Sequence, residues 1–361
     1  MKISRRKMLA ALSGISLASA YAYNQYEEMK PKNITFELNP ALPLIKMGWQ
    51  GNQLVGNQFV MEPLTLPKSF ADILKWQLAT NPQKAEKKAE VFSIQNVATP
   101  DIFTSKEDAL VWLGHSSFLI RLNGITMLTD PVYSPIPLTR QITPPPFKAE
   151  DIQNIDYLLL SHDHRDHFDE ATLAVFLAKN PKTEVLMPLR MEKLLTSTYT
   201  NAKFQAAGWY QQFAIKDKAV EITYLPAKHW CRRGLTDVNQ ILWGSFMIRT
   251  PQKSIYFAAD TGYHTHFAEI AQLFPNIDIA LMPVGAYKPP YIMQEVHTNP
   301  YEALQGFHDL KAKIFIPMHY GTFDLSDEPA GEPIKILTEL KQTEQLKGEL
   351  KMLKFGEVLK V

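Results

Sequence analysis

The sequence predicts an α/β fold, and three observations carry that prediction. Short apolar runs recur along the 361-residue chain and stop at polar clusters, as Ile155 to Leu160 does before Ser161-His162-Asp163-His164-Arg165-Asp166-His167-Phe168-Asp169. Segments with helical spacing separate or follow several of these runs. Imidazole and carboxylate side chains stand just beyond the runs, where open α/β sheets present their chemistry.

The elements follow in order. Ser4-Arg5-Arg6-Lys7-Met8-Leu9 is a twin-arginine pattern ahead of a moderately apolar stretch from Leu9 to Ala22. Ala18-Ser19-Ala20 and Ala20-Tyr21-Ala22 offer small residues at the spacing of a signal-peptidase site. Residues 1–22 are therefore expected to be an export signal, placing the protein in the periplasm or at a membrane of a bacterium. The stretch is short against the roughly 20 residues of a permanent span. Residues 23–104 read as an extension, with a substrate-access or membrane-contacting role open to it. Pro31, Pro40, Pro43, Pro63 and Pro67 exclude long elements from its first part. Ser69 then resembles an N-cap for a helix from Phe70 to Leu78, with Phe70, Ile73, Leu74, Gln77 and Leu78 on one face and Trp76 beside it. Either a core contact or a lipid-facing surface would use that face. Gln83 to Lys88 reads as a solvated helix or linker.

Residues 105–361 carry the strand-rich pattern. Val111 to Leu113, Phe118 to Ile120 and Thr126 to Leu128 form a meander turning at Asn123-Gly124. The proline-rich stretch from Pro131 to Pro146 is a loop expected to rim the site. Strands are expected to Leu160, over Val185 to Met187, and at Glu221, Trp243, Ser254, Ile279 and Ile314. Helices are expected over Glu170 to Ala178, over Met191 to Leu195, and near His266, Pro300 and Pro333.

Composition bounds the function. A formal charge of +1 gives no electrostatic reason to expect nucleic acid as a partner. The single cysteine, Cys231, excludes an intramolecular disulfide and a cysteine-rich metal site. Three histidines and three aspartates within eight consecutive positions, His162 to Asp169, would by contrast repel or stay idle without a cation. Nitrogen and oxygen donors suit zinc, with iron or manganese as alternatives. His162 and His164 can converge on one ion while Asp166 and His167 turn towards a second.

The spacing His-x-His-x-Asp-His after an apolar strand resembles the metal motif of the metallo-β-lactamase superfamily. His229 after Leu225-Pro226-Ala227-Lys228, Asp260 after Ile255-Tyr256-Phe257-Ala258-Ala259 and His319 after Ile314-Phe315-Ile316-Pro317-Met318 follow in that family's order. Trp112-Leu113-Gly114-His115-Ser116-Ser117, Leu128-Thr129-Asp130-Pro131, Pro226 to Arg233, Val296 to Ala303 and His319 to Phe323 are similar to its branch of phospholipases D that hydrolyse N-acylphosphatidylethanolamine. The similarity runs from about Phe59 to about Phe323.

The resemblance implies an αββα four-layer sandwich binding two zinc ions. His162, His164 and His229 would hold one ion, Asp166, His167 and His319 the other, with Asp260 bridging. It implies attack of a metal-bridging hydroxide on phosphorus, with Asp166, Asp260 and His297 as catalytic residues and His297 facing the phosphate. Asp130 would orient a ligand histidine, as carboxylates behind metal ligands do. His115 would lie behind the ligands or touch substrate, and Arg232 or Arg233 would pair with phosphate oxygens, the other being solvated. The implied substrate is a phospholipid or a small phosphodiester. A lactonase using the same ions and a non-catalytic envelope binding protein are the alternatives.

Overall fold

The computed structural model describes residues 33–61, 68, 70–195, 199, 202–216 and 219–361. The expected export signal and the expected cap at Ser69 lie outside the described residues.

Two seven-stranded sheets face each other. The first runs β17 (Val358–Lys360), β4 (Ala109–Gly114), β5 (Ser117–Leu122), β6 (Ile125–Thr129), β7 (Tyr157–Leu159), β8 (Glu184–Pro188), β9 (Lys203–Ala207). Its β17 to β6 pairings are antiparallel and those from β6 to β9 parallel. The second runs β10 (Gln211–Gln212), β11 (Glu221–Leu225), β12 (Ser245–Arg249), β13 (Ser254–Phe257), β14 (Ile279–Pro283), β15 (Ile314–Met318), β16 (Glu349–Leu350) and becomes parallel after β13.

Alternation along the strands explains the apolar runs. In β4, Leu110 and Trp112 enter the core between the sheets, whereas Val111 and Leu113 enter a second core on the outer face. Tyr157 and Leu159 in β7 likewise face inward, and Leu158 and Leu160 outward. A strand buried on both faces reads as a continuous hydrophobic segment. Phe118 of the first sheet meets Phe257 of the second at 6.4 Å between ring centres.

Helix α3 (Glu170–Lys179) covers the outer face of the first sheet with Leu173 and Phe176. Asp169 caps it, accepting the Ala171 amide at 3.1 Å. Helices α5 (His266–Leu273), α7 (Pro300–Asp309) and α8 (Glu332–Gln342) pack in succession beside the second sheet. Asn299 and Glu302 form a reciprocal capping box at the start of α7, with Pro300 at the first helical position. The short α4 (Glu192–Leu195) follows β8, and α6 (Pro290–Met293) lies before α7.

Before the sandwich, β1 (Ile34–Glu37), β2 (Asn52–Val55) and β3 (Gln58–Phe59) form a small antiparallel sheet. It joins the main core through Leu54 and the fully buried Phe59. Arg190 ties Glu37 to the first sheet through Nε at 3.0–3.1 Å.

Helix α1 (Phe70–Leu78) forms as expected, and its apolar face is divided between the cavity and solvent. Ile73 and Trp76 line the site cavity, whereas Leu74 and Leu78 are 43% and 78% exposed. The helix rests on α6 rather than on the core, so only one narrow stripe is covered. Helix α2 (Lys84–Ala89) is not a free linker: Lys87 pairs with Asp324, and Gln83 bonds Glu332. The strand expected at Trp243 begins at Ser245, and the Trp243 indole instead donates to Ala227 O at 2.9 Å.

Candidate metal centre

The register of the first sheet brings two polar loops together. Thr129 pairs with Leu159, so the chain leaves β6 and β7 side by side at Asp130 and Ser161. Asp130 Oδ1 accepts the Ser161 amide at 2.8 Å, and Oδ2 accepts the Ser161 hydroxyl at 2.5 Å and His167 Nδ1 at 2.9 Å. With its hydrogen committed to Asp130, Ser161 Oγ accepts His162 Nδ1 at 2.9 Å. Across the site His229 Nδ1 donates to Val296 O at 3.0 Å. These acceptors place the proton on Nδ1 of all three rings and turn the Nε2 lone pairs inward, the arrangement of metal-ligating histidines.

Those lone pairs fall into two groups. His162 Nε2 and His229 Nε2 each stand 3.1 Å from His164 Nδ1. Asp166, His167 and His319 gather with His115 in a second group. Asp260 lies between them: Oδ1 is 3.2 Å from His167 Nε2 and 3.1 Å from His319 Nε2, while Oδ2 is 3.9 Å from His229 Nε2 and 3.7 Å from His297 Nδ1.

This donor set fits a pair of cations. Tetrahedral nitrogen ligands about 2.0–2.1 Å from zinc stand ~3.3 Å apart, close to the spacing of the first group. Among the described residues, His167 Nε2, Asp260 Oδ1, His297 Nδ1 and His319 Nε2 are buried without a hydrogen-bond partner. Each such orphan costs about 1–3 kcal/mol, and a shared cation satisfies several at once. The charges agree. Burial opposes ionisation of Asp166 and Asp260, yet the imidazoles, His167 foremost, hold both carboxyls well below their usual range. Burial pushes His162 and His229 well down, keeping them neutral as ligands must be. His167 and His319, by contrast, are raised against their burial by Asp260 and Asp166, His319 to about 9, so each gives up a proton on binding a cation.

The backbone is strained where these groups sit. His115, Asp130, Ala259 and His319 have φ of 50, 30, 51 and 60°, the left-handed region that non-glycine residues avoid. Close approach is also built in: a Cβ on Gly285 would lie 2.1 Å from His319 O, and one on Gly262 2.2 Å from Glu295 O.

A cavity of about 200 Å³ opens over the cluster. His164, Asp166, Asp260 and His297 contribute to its floor chemistry, and Ile73, Trp76, Trp230, Ile292, Met293 and Leu325 supply an apolar wall. Arg232 also lines it, its guanidinium 5.3 Å from the Trp230 ring centre. Lys68 and Glu295 line it as an ion pair at 3.2 Å. His297 is pushed down to about 4 by burial, and is therefore neutral near pH 7.

Two other expectations need correction. Arg233 is not solvated; it pairs with Glu170 at 2.7 Å and is 9% exposed. The proline-rich loop does not line this cavity. It is stitched behind His319, where the Ile142 amide donates to Thr322 O at 2.8 Å and the Asp324 amide to Arg140 O at 2.9 Å. His115 is buried, with Nε2 3.2 Å from Asp166 Oδ2. Cys231 is packed in the core. Of the loop's three aspartates only Asp166 joins the donor groups; Asp163 is buried beneath them and Asp169 caps α3. Sequence reasoning missed Val296, because a backbone carbonyl carries no residue-type signal.

Residues 126–320 match the model of the β-lactamase superfamily domain, and the chain belongs to that superfamily as a metal-dependent hydrolase. Within it, the chain is 30% identical over 264 residues to the N-acyl-phosphatidylethanolamine-hydrolyzing phospholipase D 1 of Caenorhabditis elegans, covering 68% of this chain and 73% of that protein. It is 29% identical over 250 residues to a metal-dependent hydrolase of Hyperthermus butylicus, covering 68% of this chain and 96% of the relative. The fold is shared with Igni18, a metallo hydrolase from Ignicoccus hospitalis, at a TM-score of 0.53 and 22% identity over 70% of this chain and 97% of that one.

Proposed function

We propose that the chain is an exported phosphodiesterase that hydrolyses N-acylphosphatidylethanolamine, or a related glycerophospholipid, to phosphatidic acid and an N-acylethanolamine. The observation that carries this reading is the cavity's composition. Arg232, engaged by no hydrogen bond or ion pair among the described residues, shares with the imidazole–carboxylate cluster a cavity walled mainly by apolar side chains, the paired Lys68 and Glu295 being its other charged lining. Such a cavity suits an anionic group attached to hydrocarbon. The kinship with a phospholipase of that specificity supports the same substrate.

His162, His164 and His229 would hold one zinc-class ion, and Asp166, His167 and His319 a second, with Asp260 shared. When bound, such ions supply Lewis acidity: they lower the pKa of water from about 15.7 to about 7 and draw charge from a phosphoryl oxygen. The chain's own residues prepare the site around them. Asp130 and Val296 hold the imidazoles in one tautomer. Neutral His297 offers one N–H to a phosphoryl oxygen, and Arg232 pairs with another. The apolar wall excludes water from the acyl chain next to the scissile bond. Hydrolysis adds water across the P–O bond to the ethanolamine: hydroxyl stays on phosphorus and a proton leaves with the alcohol.

The test compares metal-loaded protein on N-acylphosphatidylethanolamine vesicles, a soluble aryl phosphodiester and a lactone. Arg232→Gln should lower kcat/KM for both diesters by roughly 10–150-fold, the value of about 1.5–3 kcal/mol for a hydrogen bond to a charged group. Lactone opening should barely change. A wild type that opens lactones and ignores both diesters overturns the proposal, as does vesicle binding without any turnover.

A further inference from the structure

The ligand loops come from opposite sheets, so something must hold them at a fixed separation. His162 to His167 follow β7 of the first sheet, and His229 follows β11 of the second. The start of the first loop is tied across the interface at Ser161 O, which accepts Tyr224 Oη–H at 2.8 Å and the Gly244 amide at 3.2 Å. Those bonds do not reach the far half of the loop. There Arg233, four residues past His229, donates through Nη1 to Asp163 O at 2.7 Å and to Phe168 O at 3.0 Å. The two carbonyls bracket His164, Asp166 and His167. Nη2 pairs with Glu170 at 2.7 Å, and the guanidinium carbon lies 4.8 Å from the Phe168 ring centre. The arginine is anchored at its own end as well: the Arg233 and Gly234 amides donate to Asp237, at 3.3 and 2.8 Å. One planar cation thus spans three acceptors, a geometry that lysine cannot reproduce.

We infer that Arg233 is a positioning residue for the metal centre, clamping the loop of His164 to the loop of His229. The inference rests on the ligand assignment made under the proposed function. It also predicts an asymmetry. His167 keeps Asp130 as its own tether, whereas the described ring contacts of His164 are the facing His162 and His229 rings and Trp230. Releasing the clamp should therefore loosen the His162–His164–His229 group selectively.

The experiment titrates full-length wild type and Arg233→Met with zinc against a competing chelator, and with cobalt(II) followed by its visible spectrum. His229→Ala and His319→Ala serve as references for loss at either group. Arg233→Met should weaken one of two equivalents by about 10–100-fold, the usual cost of removing a residue that orients ligands. The other equivalent should stay within about threefold, and the cobalt spectrum should approach that of His229→Ala. Arg233→Lys should recover part of the loss, and it carries the same comparison if the methionine variant does not fold. Equal weakening of both equivalents, or of neither, overturns the clamp while leaving the two-ion assignment intact. A wild type that takes up fewer than two ions overturns both.

Discussion

Replacing Asp130 with asparagine isolates the support of the metal centre from its ligands. The wild-type carboxylate is fully buried and accepts three hydrogen bonds, from the Ser161 amide, the Ser161 hydroxyl and His167 Nδ1. An amide offers one oxygen. If that oxygen faces the hydroxyl and the imidazole, the NH₂ meets the Ser161 amide donor; if it turns, the NH₂ meets two donors. At least one buried donor is then left unmet, at about 1–3 kcal/mol. The negative charge behind His167 is also lost, so the ring's basicity falls and metal affinity should drop about 10–100-fold. Asp260→Asn should be worse, because that carboxylate touches imidazoles of both donor groups directly. Its loss should remove one ion at chelator concentrations that Asp130→Asn survives, and activity should fall at least about tenfold further. Metal analysis after graded chelation, together with urea unfolding and turnover, measures all three effects. Equal and mild losses in both variants would refute the bridging position of Asp260 and the supporting position of Asp130.

Three further outcomes are expected. Leu74→Ser and Leu78→Ser remove exposed apolar groups of α1, so hydrolysis of bilayer-embedded lipid should fall severalfold with little change on a soluble diester, whereas Trp76→Ser, inside the cavity, should raise KM for any acylated substrate; equal effects on soluble and bilayer substrates from the two leucine variants would remove α1 from membrane contact. Arg5→Lys with Arg6→Lys keeps the charge but breaks the twin-arginine pattern, so cell fractionation should find the variant retained in the cytoplasm, and normal export would refute that signal.

Much of the centre was legible because ligand chemistry is written in residue type. Few side chains besides imidazole and carboxylate serve a hard or borderline cation, and their places after apolar runs survive without any knowledge of contacts. Asp130 was legible in the same way, as a carboxylate at a strand end. The use of α1's apolar face stays open in the sequence because helical periodicity reports which residues are apolar, not which neighbour covers them: Leu74 and Ile73 are both apolar, yet only Ile73 meets the cavity. The proline-rich loop was misplaced for a related reason. Its proximity to Asp130 in sequence says nothing about the Ile142–Thr322 and Arg140–Asp324 backbone bonds that draw it behind His319.

The sequence by itself determined the α/β class, the doubly buried strands and the candidate donors, since these depend on local alternation and on the chemistry of single side chains. Tertiary structure alone decided which carbonyl orients His229 and which of two adjacent arginines lines the cavity. Those outcomes depend on distances between residues far apart in the chain. Arg232 and Arg233 are chemically identical, and only the second finds Asp163 O, Phe168 O and Glu170 within reach across the sheet interface.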